Sequence, residues 1–304
     1  SEEEVRYVFF SGGTTGRPKV VYLSEADWIH KTEYRALCRY LGGFRRWDLA
    51  LIMLPYGAWV AGASEEAAFE RLGACVLPLG IWWRSPQVAL TVMRRISPTV
   101  LATTPSLALM MGRRLAELGF DPGREGVKSI ALTGEDVSPG LREEIMRLWG
   151  ARRVHVLYAA TESVIGGECE LQDGYHFFPD KLFLEVVDDE GEPLQEGEKG
   201  RLLVTNLTCR AMPIIRYELG DLARITLEKC GCGLTYPRVW FEGRVADEFV
   251  VASGVNVKPY QVEECISRLP AKVVRYQIVL RAVSYTHLRA HETEADLVCR
   301  LLLE

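Results

Sequence analysis

The sequence lacks any apolar run approaching the ~18 residues that a membrane-spanning helix requires, so no such span is expected. Positive charge is not in surplus. Lys and Arg number 36 against 41 Asp and Glu, a net charge of -5, and no basic face suited to nucleic acid is evident. Internal repeats and low-complexity segments are missing, which argues against solenoid architectures and long disordered regions. No charged and apolar leader of the secretory kind is seen. The chain opens Ser1-Glu2-Glu3-Glu4 and turns at once into an apolar run. On that reading it is cytoplasmic, and its eight cysteines are reduced thiols or metal ligands rather than a disulfide framework. A Gly-Lys-Ser/Thr sequence leading into a helix is also absent from the one glycine-rich loop, so that loop is not a Walker loop.

What is present suits a globular protein with a large core: 304 residues, 48% hydrophobic, with mean hydropathy +0.01. At about 150 residues per domain, two domains are expected. Short apolar runs alternate with helical patterns. Strands are expected over 49–54, 74–79, 100–103, 129–133 and 153–158. Helices are expected over 24–41, 64–72, 86–96, 105–118 and 139–149, several with proline in the first turn. Ser24 caps the first helix with Asp27 three residues on, Gly42-Gly43 ends it, and its apolar set includes Trp28, Ile29, Leu37, Tyr40 and Leu41. This alternation marks an α/β protein with a parallel sheet and crossover helices, whose ligands bind at the carboxyl ends of the strands. After Thr161 strands dominate, over 181–187, 200–206, 214–215 and 222–227, giving a β-rich lobe. Strands at 249–251 and 273–280 flank a short helix at 259–268, the start of a small α+β unit.

The densest chemistry lies in Ser11-Gly12-Gly13-Thr14-Thr15-Gly16-Arg17-Pro18-Lys19, between two apolar runs. Glycines let backbone amides approach an anion, hydroxyls add donors, and Lys19 and Arg17 supply charge. A polyphosphate fits this strand–loop–strand unit; a plain surface hairpin is the alternative.

The run resembles the phosphate loop of the adenylate-forming superfamily, which includes acyl- and aryl-CoA ligases. Further patches follow in the family's order. Thr133-Gly134-Glu135 is similar to the segment beside the adenine. Tyr158-Ala159-Ala160-Thr161-Glu162 resembles Tyr-Gly-x-Thr-Glu, with Ala159 in place of glycine narrowing the space beside the base. Arg216-Tyr217-Glu218-Leu219-Gly220-Asp221-Leu222 resembles Tyr-Arg-Thr-Gly-Asp. Gly243-Arg244 resembles the hinge motif, with Ala246 or Asp247 at the hinge aspartate. The resemblance implies that Tyr158 stacks on adenine, Thr161 donates to the α-phosphate and Glu162 holds Mg²⁺. It also implies that Asp221 binds the ribose hydroxyls and that Arg244 reaches the ribose or phosphate side. Within the superfamily the likeness is to phenylacetate-CoA ligases, through the stretch 98–106, Gly254-Val255-Asn256-Val257 and Cys230-Gly231-Cys232-Gly233. It covers roughly residues 5–282.

Cys230 and Cys232 form a glycine-rich knuckle, and Cys169 and His176 flank a turn at Gly174. Together they make a Cys₃His set suited to structural zinc, and some ligases of this family carry zinc here. Reduced cysteines with a surface histidine are the alternative. Cys38, Cys75, Cys209 and Cys265 read as core cysteines. Tyr56 and Trp59 fall where this family lines its aryl pocket.

The implied architecture is a fragment: the large domain of an adenylate-forming enzyme without its first part over 1–242, the start of a C-terminal domain over 243–282, and a non-family tail over 283–304. The tail resembles adaptor sequence, and its His287 and His291 are not read as a metal pair. The implied reaction is ATP-dependent adenylation of an aromatic or acyl carboxylic acid, then thioester formation with CoA, with Mg²⁺ as cofactor. No nucleic-acid or membrane partner is implied, and a homodimer is one assembly open to the chain. Rival readings are transfer to an acceptor other than CoA and a zinc-stapled nucleotide-binding remnant. The matching stretch ends before the family's C-terminal lysine, so nucleotide binding with little adenylation is expected.

Overall fold

The computed structural model describes residues 4–11, 19–81 and 86–245, and the backbone of four strands beyond them. In chain order the elements are β1 (Val5–Phe10), β2 (Val20–Ser24), α1 (Glu25–Leu41), β3 (Leu49–Met53), α2 (Val60–Arg71), β4 (Cys75–Pro78), α3 (Pro86–Ile96), β5 (Val100–Thr103), α4 (Pro105–Glu117), α5 (Pro122–Glu125), β6 (Ser129–Thr133), α6 (Pro139–Trp149) and β7 (Arg153–Ala159). Strands then take over: β8 (Val164–Glu168), β9 (Tyr175–His176), β10 (Leu182–Val187), β11 (Gly200–Asn206), β12 (Tyr217–Thr226) and β13 (Arg238–Arg244), followed by β14 (Phe249–Val250), β15 (Asn256–Val257), β16 (Tyr276–Ser284) and β17 (Ala295–Leu303).

One sheet of eleven strands runs β10-β11-β12-β13-β9-β8-β7-β6-β5-β3-β4. From β4 to β7 the pairings are parallel, and from β7 onward they are antiparallel. The expected α/β half and β-rich lobe are thus two halves of one continuous sheet. Strands β5 and β6 are buried at every position, as parallel strands covered on both faces must be. Along β3 the pleat sends Leu51 and Met53 into one core with Met111, Leu115 and Trp149 of α4 and α6. Ala50 and Ile52 go to a second core with Phe44 and Phe69. A third core fills the antiparallel half, where Tyr34 and Cys38 of α1 meet Leu184, Val204 and Val239.

Three differences from the sequence reading stand out. First, residues 214–215 are not a strand: Ile215 is exposed, and β12 begins at Tyr217, earlier than expected. Second, β8, β9 and β13 carry no strong alternation and were not expected, yet they join the two halves of the sheet. Third, only part of the expected apolar set of α1 packs inward: Trp28 and Leu41 lie against core clusters. Ile29, Leu37 and Tyr40 are exposed, while Asp27, Lys31, Arg35 and Arg39 turn inward at helical spacing. Each inward charge has a partner, as burial of a charge demands. Of the expected core cysteines, Cys38 is buried, but Cys75 is exposed because it opens the edge strand β4. Cys265 and the helix at 259–268 lie outside the described residues. Tyr276–Ser284 pairs with Ala295–Leu303, so the second strand of that hairpin comes from the stretch set apart as a tail.

The expected capping box forms: the Ser24 hydroxyl accepts from Asp27 N at 3.2 Å, and Asp27 Oδ2 accepts from Ser24 N at 2.9 Å. The same carboxylate accepts from Arg210 N at 2.7 Å and Ala211 N at 2.9 Å, so one side chain caps α1 and tethers the segment after β11. Burial alone would raise its pKa, but the backbone donors prevail and hold it below the usual value. Asp27→Ala should therefore cost about 2 kcal/mol, more than a cap alone, read as a lower denaturation midpoint in urea.

Candidate functional site

The carboxyl ends of β5, β6 and β7 are pinned by buried hydroxyls. Thr103 Oγ1 donates to Met53 O at 2.9 Å and Thr133 Oγ1 to Leu157 O at 3.1 Å. Gly134 follows with φ +87°, a conformation that glycine adopts without strain. The turn sets Glu135 against the start of α4, where its carboxylate accepts from Ser106 N at 2.9 Å and Ser106 Oγ at 2.6 Å, a favourable place for negative charge.

The expected strand–loop–strand unit around the glycine-rich run has β1 and β2 paired antiparallel. Ser11 is buried and its N–H donates to Lys19 O at 2.8 Å; Gly12, Gly13, Thr14, Thr15 and Gly16 lie outside the described residues. Lys19 Nζ donates to Tyr217 Oη at 2.7 Å and sits 4.9 Å from the centre of that ring. The Tyr217 hydroxyl in turn donates to Glu162 Oε1 at 3.0 Å. The hydrogen bond to Tyr217 raises the Lys19 pKa, so the cation is held. A lysine, a tyrosine and a carboxylate from three distant segments thus form one chain of hydrogen bonds.

A second chain lies along the same strands. Tyr158 Oη donates to Asp221 Oδ2 at 2.6 Å, and Arg244 Nε pairs with Asp221 Oδ1 at 3.0 Å. Arg244 Nη2 also donates to Leu219 O at 2.8 Å. A β-bulge between Asp221 and Ala223 re-aims the aspartate. Burial, then the charge of Asp221, pushes the Tyr158 hydroxyl well above its ordinary pKa, so it stays a donor. Its ring packs against Tyr175 and Phe241 at 5.5 and 5.7 Å between centres. Ala159 ends β7 beside a register shift and is half-buried.

Thr161 and Glu162 follow in the turn before β8, closed by Ala160 N donating to Ser163 O at 2.8 Å. The Thr161 carbonyl accepts from Lys31 Nζ at 2.8 Å. Burial, then the neighbouring Arg35, lowers the Lys31 pKa to about 7. Tyr56 and Trp59 are not brought together in the same way. The Tyr56 ring covers Gly62, where an added Cβ would stand 2.8 Å from it. Trp59 precedes α2 and is 40% exposed. Ala246 and Asp247 lie outside the described residues.

Away from these chains, the Sγ atoms of Cys169, Cys230 and Cys232 and a ring nitrogen of His176 all lie within 4.8 Å of one another. Cys169 follows β8, His176 lies in β9, and the other two sit in the loop between β12 and β13. The β8–β9 and β9–β13 pairings bring them together. His176 is fully buried rather than on the surface. Its Nδ1 faces Tyr236 O at 3.1 Å, which leaves Nε2 toward Cys232 Sγ at 3.5 Å; Cys169 and Cys230 are 3.8 Å apart.

Sequence reading missed Tyr217 as a separate site residue and missed Lys31 altogether. Tyr217 lay inside a motif whose aspartate drew the attention. Lys31 could have been found as a cation four residues beyond Asp27 on the same helix face.

The model of a family described as AMP-binding enzyme matches residues 1–208. The phenylacetate-coenzyme A ligase of Thermus thermophilus is 34% identical over 285 residues, 92% of this chain and 63% of that protein. The phenylacetate-coenzyme A ligase of Escherichia coli K12 is 31% identical over 282 residues, 91% of this chain and 63% of that protein. This chain therefore spans a little under two thirds of the length of these relatives. Among solved structures, a 2-hydroxyisobutyryl-CoA ligase in the postadenylation state with 2-HIB-AMP superposes with a TM-score of 0.83 at 25% identity, covering 91% of this chain and 60% of that one.

Proposed function

The chain belongs to the AMP-binding enzyme family, and from that premise we propose that it carries the nucleotide site of an acid–CoA ligase of the phenylacetate type. The reading divides the chain at residue 243 between an adenylating domain and the start of a C-terminal one. The observation that supports it most is the meeting of Lys19, Tyr217 and Glu162 beside Tyr158, Asp221 and Arg244. Lys19 leads into β2 of the separate hairpin, Tyr158 and Glu162 lie at the end of β7 and in the turn after it, Tyr217 and Asp221 lie in the first half of β12 and Arg244 ends β13; the carboxyl end of β7 is where a parallel sheet binds its ligands.

In this reading the substrate carboxylate attacks the α-phosphorus of ATP and pyrophosphate leaves. The thiol of CoA then attacks the acyl carbon and AMP leaves. Lys19 and the glycine-rich loop (Ser11, Gly12, Gly13, Thr14, Thr15, Gly16) neutralise charge on the phosphates, a preorganised electrostatic contribution. Thr161 donates to the α-phosphate. Glu162 would hold Mg²⁺, which supplies charge neutralisation on the phosphate oxygens. Asp221 accepts from the ribose hydroxyls, with Arg244 and Tyr158 fixing its carboxylate. Gly134, Glu135 and Ala159 border the base, and Tyr56 and Trp59 line the carboxylic-acid side. The Cys₃His set would hold one structural zinc. With Zn–S about 2.3 Å and Zn–N about 2.0–2.1 Å, a tetrahedron has S···S edges near ~3.8 Å and S···N edges near ~3.6 Å. The observed 3.8 and 3.5 Å fit that geometry.

Calorimetric titration with MgATP tests the nucleotide site. The chain should bind it, and Lys19→Ala should bind it at least tenfold more weakly, the value of one charge-assisted contact. Because Lys19 is exposed, its removal should leave the thermal midpoint in place. Equal affinity in both proteins, or none in either, would overturn the assignment.

A further inference from the structure

Among the described residues Lys31 is a buried lysine that pairs with no carboxylate. Its side chain comes from the inward face of α1 and is 8% exposed. Its ammonium donates to a backbone oxygen, Thr161 O, at 2.8 Å. The nearest helical carboxylate, Asp27, is committed to the amides of Ser24, Arg210 and Ala211. The Glu162 carboxylate accepts from Tyr217. Lys31 and Glu162 both line a cavity of about 20 Å³, walled also by Tyr34, Ser163, Asn206 and Cys209; that is room for about one water molecule.

Burying a lysine in this way is costly for the fold, and an apolar residue would fill the space without that cost. What lysine adds is its grip on one peptide unit. The carbonyl it holds belongs to the Thr161–Glu162 peptide, which is planar. Fixing that oxygen fixes the plane, and with it the Cα atoms from which the Thr161 and Glu162 side chains spring. We propose that Lys31 is a positioning residue that acts through this peptide, aiming the Thr161 hydroxyl and the Glu162 carboxylate together at a metal–polyphosphate complex. The proposal rests on the nucleotide reading above. It adds a residue that acts through the backbone of the turn rather than through the phosphates or the metal.

The test separates the phosphate end of the site from the nucleoside end. Full-length chain, Lys31→Met and Lys31→Gln would be titrated calorimetrically with MgATP and with adenosine, alongside thermal unfolding. Met removes every donor and keeps the apolar volume; Gln restores an N–H donor without charge. The expected result is MgATP affinity about tenfold lower in Lys31→Met, the worth of one hydrogen bond from a charged group, with adenosine affinity within twofold. Lys31→Gln should recover part of the loss. MgATP affinity unchanged in folded Lys31→Met, or MgATP and adenosine weakened equally, would overturn the positioning role. If Lys31→Met fails to fold, the comparison passes to Lys31→Ala, which also lacks a donor; selective loss of MgATP affinity there supports the role and no selective loss refutes it. Failure of the unmodified chain to bind MgATP would instead refute the nucleotide reading.

Discussion

Replacing Glu65 with glutamine should lower the stability of the chain by about 3–5 kcal/mol, the usual effect of removing one partner from a buried ionic group. Glu65 is completely buried on α2, and its two oxygens accept from Arg35 at 2.6 Å and Arg39 at 2.5 Å. Arg39 also donates to Leu132 O at 3.2 Å, at the end of β6. Glutamine keeps the volume but leaves two guanidinium groups in the interior without a counter-charge. For a chain of this size the loss corresponds to a thermal midpoint about 5–8 °C lower. Acid offers an independent check. Burial alone would raise the Glu65 pKa, but Arg39 and Arg35 outweigh it and hold it below the ordinary carboxylate value. A depressed pKa contributes stability that is complete above the unfolded-state value and is lost as pH falls through the folded-state value. The unmodified chain should lose this contribution in that acid range, and Glu65→Gln should show none of it. Replacing all three charges with Met or Leu should be far milder than Glu65→Gln, because no charge is then stranded. Equal losses in both variants would mean that packing, not charge, is what the triad supplies.

Purified chain should contain one zinc, and a strong chelator or Cys230→Ser should destabilise the antiparallel half of the sheet. Structural zinc is worth ~10 kcal/mol or more in peptides that fold only around the metal. Here β9, β12 and β13 also pair through their backbones, so a loss on the order of 5 kcal/mol is expected. The four donors are ready for a metal: His176 has its Nδ1 occupied by the Tyr236 carbonyl, which fixes the ring and presents Nε2. Cys75→Ser, at an exposed thiol outside the cluster, should leave zinc content and stability unchanged. Elemental analysis finding no zinc in chain purified without chelator would dismiss the metal site, and the cluster would then be four reduced side chains packed together.

Where local chemistry decides, the sequence was enough. Ser24 and Asp27 formed their capping box, the prolines before α4 and α6 opened those helices, and the apolar runs of β3, β5 and β6 became buried parallel strands. Each outcome depends on neighbours within a few residues, or on burial so complete that no alternative pairing competes. The glycine-rich run stood out through composition, with its loop outside the described residues, and the Cys₃His set that the fold draws within 4.8 Å could be grouped because thiols and imidazole have few other reasons to gather near glycine turns.

Tertiary structure decided the rest. The strands β9 and β13 pair with each other from distant parts of the chain, a pairing energy that no local pattern records, and the short β8 is held between its chain neighbours β7 and β9. Tyr217 became a link between Lys19 and Glu162 only when β12 came to lie beside the end of β7. The clearest case is α1. Its sequence offers Ile29, Leu37 and Tyr40 as an apolar face, yet the folded chain buries Asp27, Lys31, Arg35 and Arg39. Hydrophobic periodicity cannot foresee this, because the sign of the burial energy of a charged group depends on its partner. For these four the partners are two amides after β11, a carbonyl after β7 and a carboxylate on α2, and only the fold brings them within reach.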